Sequence, residues 1–202
     1  MKRLLLLAAA MCCISLVSCD NEMDSNELSP VELEILEMNE LISSQSGFDE
    51  QTLLADLLKG TMKMQHWYEY WNDGEITQNS MLGGPYPATL AIFFEDGTCW
   101  DCYSYWYSSS QPNPMHEPIH EQFAWEYDTA THSLIARNQY KQETIAKVLY
   151  YNTEDHRLII EGDFMRFESM WKLEKVRISG YIDVDPAERE RIIEEYSATN
   201  NI

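Results

Sequence analysis

From Thr61 onward, apolar residues recur at every second position in a series of short runs, and this alternation limits the fold more than any other feature. A period of two is typical of strands with one buried and one solvated face. Eight runs are predicted as strands, at 61–71, 87–95, 98–107, 121–127, 133–140, 144–151, 157–163 and 164–177.

Turn signals separate several of these runs, including Asn72-Asp73-Gly74, Glu95-Asp96-Gly97 and Gly162-Asp163. Connections this short join antiparallel neighbours, because a parallel crossover needs about a dozen residues or more. A meander whose first and last strands are both substantial favours closure over an open sheet with exposed edges. The sequence therefore predicts a mainly β protein, an up-and-down antiparallel β-barrel of about eight strands.

Helical patterns lie before and after the predicted strands. Ser29-Pro30 places a capping serine and a first-turn proline before leucines at helical spacing, which predicts a helix over 30–43. Asp49 begins a second amphipathic helix, and Gly60 follows its end, where a left-handed C-cap is expected. Asp185-Pro186 predicts a short C-terminal helix that runs through about position 196.

Residues 1–18 have the layout of a secretory signal: Lys2 and Arg3, an apolar run, and small residues before a cysteine. The apolar run is shorter than the ~20 residues of a membrane-spanning helix, which argues against a signal anchor. Leu16-Val17-Ser18-Cys19 resembles the lipobox of bacterial lipoproteins, which is cleaved before a cysteine that then carries acyl chains. The resemblance implies lipidation of Cys19 by chains such as palmitate, and a membrane anchor that does not span the bilayer.

Residues 20–28 are polar and acidic without apolar periodicity, as in a solvated linker. The segment resembles the acidic stretch that routes some lipoproteins of Gram-negative bacteria to the outer face of the outer membrane. We therefore expect a lipid-anchored protein of the cell envelope, on the outer membrane, with surface display favoured over a periplasm-facing position.

The predicted barrel resembles the lipocalin-like domains of bacterial lipoproteins. Gly60-Thr61-Met62-Lys63 is similar to the family's opening Gly-x-Trp motif, Phe94-Glu95-Asp96-Gly97-Thr98 to its aromatic-x-Asp-Gly-Thr hairpin, and Trp171-Lys172-Leu173-Glu174-Lys175 to its closing strand. Met62 departs from the usual Trp, so the floor of the barrel is built differently or is filled by Trp67. The resemblance covers about Leu58 to Ile178 and implies a cup for an apolar or amphipathic ligand.

Together these patterns divide the chain into five parts. They are a signal peptide (1–18), an acidic linker after the lipidated cysteine (19–28), a helical segment (29–59), the lipocalin-like barrel (60–180), and a C-terminal helix with its tail (181–202).

The charge balance argues against nucleic acid as a partner. The chain has 14 basic and 34 acidic residues and a formal net charge of −20, and removal of Lys2 and Arg3 with the signal makes it two units more negative. A surface that follows phosphates needs a basic stripe, whereas the basic residues here are scattered among acids. Solubility and repulsion from anionic surfaces are the simplest account of the acidity.

Aromatic residues provide the densest signal for binding. In the fourth predicted strand Phe123, Trp125 and Tyr127 share one face while Gln122 and Glu126 take the other, so the aromatic face is predicted to point inward. The predicted ligand-binding residues of the cup are Met64, Tyr68, Phe93, Trp100, Phe123, Trp125 and Leu149, with loops 72–87 and 108–120 as lids. A barrel of eight strands either fills with side chains or holds one small ligand, and both interpretations stay open here.

In the third predicted strand, the face opposite that of Trp100 also carries aromatic rings, those of Tyr103, Tyr105 and Tyr107. These rings either pair across strands or pack beneath the N-terminal helices, or they form a platform for sugar faces.

Two motifs with reactive residues are read as structural. Cys99 and Cys102 lie in a strand pattern that points them to opposite faces, so a local disulfide needs a bulge and a thioredoxin-type site is not expected. His116 and His120 offer imidazoles for zinc, but the prolines around them predict a loop instead of the helix that a His-Glu-x-x-His site uses. The remaining histidines include His132 and His156, both read as turn residues.

The sequence contains no nucleophile elbow, phosphate-binding glycine loop or nucleotide fingerprint, so no enzyme, no cofactor and no metal site is predicted. The leading hypothesis is a non-enzymatic, lipid-anchored lipocalin-like barrel that binds a small apolar or amphipathic molecule. The alternative is a filled barrel that acts as a surface interaction or glycan-binding module. A metal-dependent hydrolase that uses His116 and His120 is a distant third.

Overall fold

The computed structural model describes residues 28–78, 88–101, 121–137, 143–162 and 173–200. These residues form three helices, α1 (Pro30–Ser44), α2 (Glu50–Lys59) and α3 (Pro186–Asn200). The strands are β1 (Thr61–Trp71), β2 (Ile76–Gln78), β3 (Ala88–Phe93), β4 (Thr98–Asp101), β5 (Glu121–Asp128), β6 (Ser133–Arg137), β7 (Glu143–Tyr151), β8 (Arg157–Gly162) and β9 (Leu173–Asp183).

Eight of the strands close into a barrel. Each strand from β3 to β9 pairs with the next one along the chain, and β1 pairs with β3 through Met62–Met64 and with β9 over most of its length. All of these pairings are antiparallel. The predicted up-and-down barrel with N-terminal helices and a C-terminal helix is confirmed.

The structure adds one strand that the pattern did not predict. β2 falls within the predicted loop 72–87 and pairs with β1 at Tyr68–Tyr70. It lies on the same edge of β1 as β3, which pairs with β1 nearer its start. β9 also extends to Asp183, beyond the predicted end at 177.

Both N-terminal helices begin at the residues that their caps predict. Ser29 and Glu32 form a reciprocal capping box at α1, and the Asp49 side chain accepts from two backbone N–H groups at α2. The expected left-handed C-cap at Gly60 is wrong, because its φ is −105°. Glycine is needed there for space, since a Cβ would lie 2.6 Å from the carbonyl oxygen of Asp183.

The two ends of the barrel differ. At one, called the helix end, β1 begins directly after α2, and the turns β3–β4, β5–β6 and β7–β8 lie at the same level. At the other, called the far end, β1, β4, β6 and β8 end and β5, β7 and β9 begin. Leu53 and Leu57 of α2 are buried in the barrel core at the helix end, which they close.

The buried residues form three clusters. The inner cluster fills the barrel and includes Met62, Trp67 and Ile178. The α1 cluster joins Ile35 and Met38 of that helix to the outer face of β1, β7 and β8. The α3 cluster joins Ile192 of that helix to Ile92 and Trp100 on the outer face of β3 and β4. Each helix therefore buries apolar side chains against the barrel.

Candidate functional site: the inner face of the barrel

Strand pairing assigns side chains to the inner and outer faces of the barrel. Directly opposed residues on neighbouring strands share a face, and successive residues alternate. Phe93 pairs with Cys99, and Cys99 with Phe123, and all three contact the inner cluster. Ile92 and Trp100, one position away, pair with each other and belong to the α3 cluster on the outer face.

The structure brings together four of the seven residues predicted to line the cup. Met64 and Phe93 are buried in the inner cluster, and the half-buried Phe123 and Trp125 pack against it. The Phe93 and Trp125 rings meet edge to face with centroids 4.8 Å apart. The predicted inward direction of the aromatic face of β5 is confirmed for these residues.

The other three predicted lining residues lie outside the barrel. Tyr68 and Leu149 contact the α1 cluster, and Trp100 belongs to the α3 cluster. The pairing register shifts between Met64 and His66 and again between Val148 and Tyr150. A β-bulge of this kind moves every following side chain to the opposite face, which strict alternation cannot foresee and which accounts for Tyr68. Leu149 lies at the second shift itself. Trp100 lies on β4, which has no shift in its described pairings, and alternation with the inward Cys99 already places it outward.

The inner wall near the far end consists of two rows of mostly small side chains. One row begins deeper in the barrel at Trp125, whose indole N–H donates to the Phe94 carbonyl in the β3–β4 turn, and leads through Ala136 to Thr144 near the far end. In the next row Ala146 pairs with Gly162, Gly162 with Val176, and Val176 with Glu69.

Exposure varies within these rows, since Ala146 and Val176 are buried. Ala136, Thr144 and Gly162 are half-buried, whereas Trp67 and Ile178, nearer the helix end, are 2 % exposed. The interior is therefore packed with bulky side chains at the helix end and has a wall of low volume near the far end.

Three tyrosine–carboxylate–histidine groups, here called clasps, connect the N-terminal helices to the barrel. In the first, Tyr68 donates to Glu34 of α1 at 2.5 Å, and His66 Nδ1 lies 3.7 Å from the same carboxylate. Gln78 of β2 contacts His66 Nδ1 at 2.6 Å.

The other two clasps hold α2. Tyr127 donates to Glu50 at 3.1 Å, and His132 contacts the same oxygen. Tyr151 donates to Asp56, whose Oδ2 lies 3.0 Å from His156 Nδ1. His132 and His156 both have a φ of 55°, and their backbone carbonyls accept from neighbouring strands.

Sequence reasoning placed these two histidines in turns but missed their partners. The residues of a clasp are up to 100 positions apart, so no pattern among neighbouring residues predicts that they meet. Burial, followed by the hydrogen bond to the carboxylate, raises the pKa of each clasp tyrosine. The tyrosines therefore stay protonated and donate, which makes the clasps structural links between helix and barrel.

A surface cleft of about 700 Å³ lies beside the loop between α1 and α2. Phe48 and Leu149 provide apolar contacts, and Lys147, Glu50 and His132 add charged and polar groups. Its composition suits a partly apolar, partly polar ligand.

No protein-family model, curated protein or solved structure matches this chain.

Several predicted features fall outside the described residues. They are the signal and Cys19, the loop segments 79–87 and 108–120, His116 and His120, Cys102, and the tyrosines Tyr103, Tyr105 and Tyr107. Within the described ranges, no three potential metal ligands come together, and no helix has the length and apolarity to cross a membrane.

Proposed function

We propose that this protein is a non-enzymatic, lipid-anchored lipoprotein of the cell envelope, and that its lipocalin-like barrel binds a small apolar or amphipathic molecule. The observation that carries the proposal is the change in the inner wall along the barrel. Half-buried small residues near the far end, Ala136 and Thr144 among them, stand beside the rings of Phe123 and Trp125. An apolar ligand held against this part of the wall contacts the two rings and buries apolar surface away from water.

The ligand-binding half of the proposal is tested with N-phenyl-1-naphthylamine, a neutral apolar dye whose fluorescence rises when it leaves water. Ala136→Phe fills the inner wall, and Ala124→Phe places the same ring on the exposed outer face of the neighbouring strand. We expect the wild type and Ala124→Phe to bind the dye and Ala136→Phe to lose it. Equal binding by all three proteins contradicts an interior site.

Native mass spectrometry of the protein purified without denaturant complements the dye. A retained organic mass in the wild type that is absent from Ala136→Phe supports a ligand in the barrel and gives its molecular weight. The same mass on both proteins places the molecule elsewhere.

The lipid anchor is tested by labelling cells with radioactive palmitate. The acyl chains are proposed to sit on Cys19, so Cys19→Ser loses the label and appears in the soluble fraction. A label that persists in Cys19→Ser contradicts the lipobox interpretation.

A second candidate function, a surface interaction or glycan-binding module, is favoured by the cleft beside the α1–α2 loop. In that case the barrel is only a scaffold, and Lys147→Ala together with Phe48→Ala lowers partner binding while Ala136→Phe has no effect. Glycan-array binding by these variants separates the two functions.

A further inference from the structure

Glu69 is a carboxylate that the fold turns into the barrel. It follows the inward-facing Trp67 by two positions on β1, with no register shift between them, and it pairs with Val176 of the inner cluster. Glu69 as a whole residue is 9 % exposed. β1 ends at Trp71, so this carboxylate lies near the far end.

The described residues give this carboxylate one hydrogen bond, from Trp67 Nε1 to Oε1 at 3.2 Å. The neighbouring cations of β9, Lys175 and Arg177, alternate with Val176 and therefore point outward, where both contact Glu161. No described lysine or arginine forms an ion pair with Glu69. A carboxylate has about four acceptor positions, so most of its capacity is open to a further donor.

Burying a charged group is costly unless donors or an opposite charge compensate it. Glu69 stands in the same row as Ala146, Gly162 and Val176, which have small side chains or none. Neighbouring strands are about 4.8 Å apart, so Glu69 lies roughly 10 Å from the Gly162 backbone across Val176. A molecule against this part of the wall is within reach of the carboxylate.

We propose that Glu69 accepts the polar head of the barrel's ligand, which makes the ligand an amphiphile with a cationic or hydrogen-bond-donating head, an amine above all. Its apolar part lies against Phe123 and Trp125. A carboxylate or phosphate head is disfavoured, because it meets a like charge in surroundings of low dielectric constant. This inference rests on the proposed ligand-binding function and adds the chemical class of the ligand.

The test compares dodecylamine with dodecanoate, which share a chain length and differ in head charge, as competitors for N-phenyl-1-naphthylamine below their micelle-forming concentrations. A charge-assisted hydrogen bond predicts that the wild type prefers the amine by about tenfold or more. Glu69→Gln keeps the shape and removes the charge, and we expect the preference to fall to about threefold or less while the dye binds as before. Glu126→Gln, on the exposed outer face of β5, controls for the overall acidity and keeps the wild-type preference.

The outcomes separate this inference from the proposed function. Dye binding without an amine preference in the wild type, or with a preference that survives in Glu69→Gln, overturns the role of Glu69 alone. Failure of the wild type to bind the dye or either amphiphile overturns the proposed function and this inference with it. The wild-type comparison is decisive even where Glu69→Gln does not fold.

Discussion

Tyr151→Phe removes the hydroxyl of the better-buried α2 clasp and leaves the ring in place. Tyr151 is 1 % exposed, and its hydroxyl donates to Asp56. In the variant the carboxylate keeps His156 as a partner at 3.0 Å, so it is not left without a contact. The substitution therefore measures the hydrogen bond and not the penalty of an orphaned carboxylate.

The size of the effect follows from the charge and burial of the acceptor. A hydrogen bond to a charged group contributes about 1.5–3 kcal/mol to the free energy of unfolding. The Asp56 side chain is only 15 % exposed, so water replaces the lost hydroxyl poorly. We expect Tyr151→Phe to lower the free energy of unfolding by about 2 kcal/mol.

Tyr127→Phe is the matched control, because it removes the same hydroxyl from the second α2 clasp. The Glu50 and His132 side chains there are 28 % and 50 % exposed, so water substitutes more easily. We expect a loss of about 0.5–1 kcal/mol. Urea unfolding followed by tryptophan fluorescence measures both losses, with unchanged m values. A loss from Tyr127→Phe that equals or exceeds that from Tyr151→Phe refutes the argument that burial sets the strength of the clasps.

Two further predictions concern other parts of the fold. Gly162→Ala places a Cβ against the backbone carbonyl of Ile145 on β7, well inside van der Waals contact. We expect this clash to lower the free energy of unfolding by about 3 kcal/mol or more, measured by thermal unfolding. Gly74→Ala is the comparison, because Gly74 lies in an open turn with a φ of +85°, and we expect it to lower the free energy of unfolding by about 1 kcal/mol. The pKa of Glu188 is lowered to about 2 by hydrogen bonds from Arg191 and Lys63, so its contribution to stability is present above its ordinary pKa of 4.5 and is lost as pH falls toward 2. We expect Glu188→Gln to remove that acid dependence and to lower the free energy of unfolding at pH 6 by only about 1 kcal/mol, because the Glu188 side chain is partly solvated. Urea unfolding midpoints of the wild type and the variant at pH 6 and pH 3 measure both effects. A Gly162→Ala melt equal to that of Gly74→Ala, or an unchanged acid dependence in Glu188→Gln, contradicts these assignments.

The order and type of the elements follow from local patterns. Ser29, Asp49 and Asp185 precede α1, α2 and α3, as capping residues do, and alternation with turn residues predicts the barrel strands. Antiparallel pairing of neighbours follows from connection length alone. These features depend on residues close together in sequence, so the sequence is sufficient to predict them.

The direction of individual side chains was predicted correctly for β5 but not throughout β1, β4 and β7. On β4, which has no register shift in its described pairings, Trp100 was assigned to the wrong face although it alternates with the inward Cys99. β5 has no register shift in its described pairings, and its aromatic residues point inward as predicted. β1 and β7 contain bulges, and Tyr68 and Leu149 were therefore assigned to the wrong face. A bulge depends on how a strand meets its neighbours, and one inserted residue reverses the parity of all that follow.

By itself, the sequence determined that this chain forms a mainly β barrel with helices before and after it, because propensity, helix caps and period-two alternation depend on residues that are neighbours in the sequence. Only the tertiary structure decided that α2 closes one end, that three clasps hold the N-terminal helices, and that Glu69 points into the interior beside a wall of small residues. These arrangements join residues that barrel closure brings together from as many as 100 positions apart. Packing between distant segments selects them, and no local pattern encodes that choice.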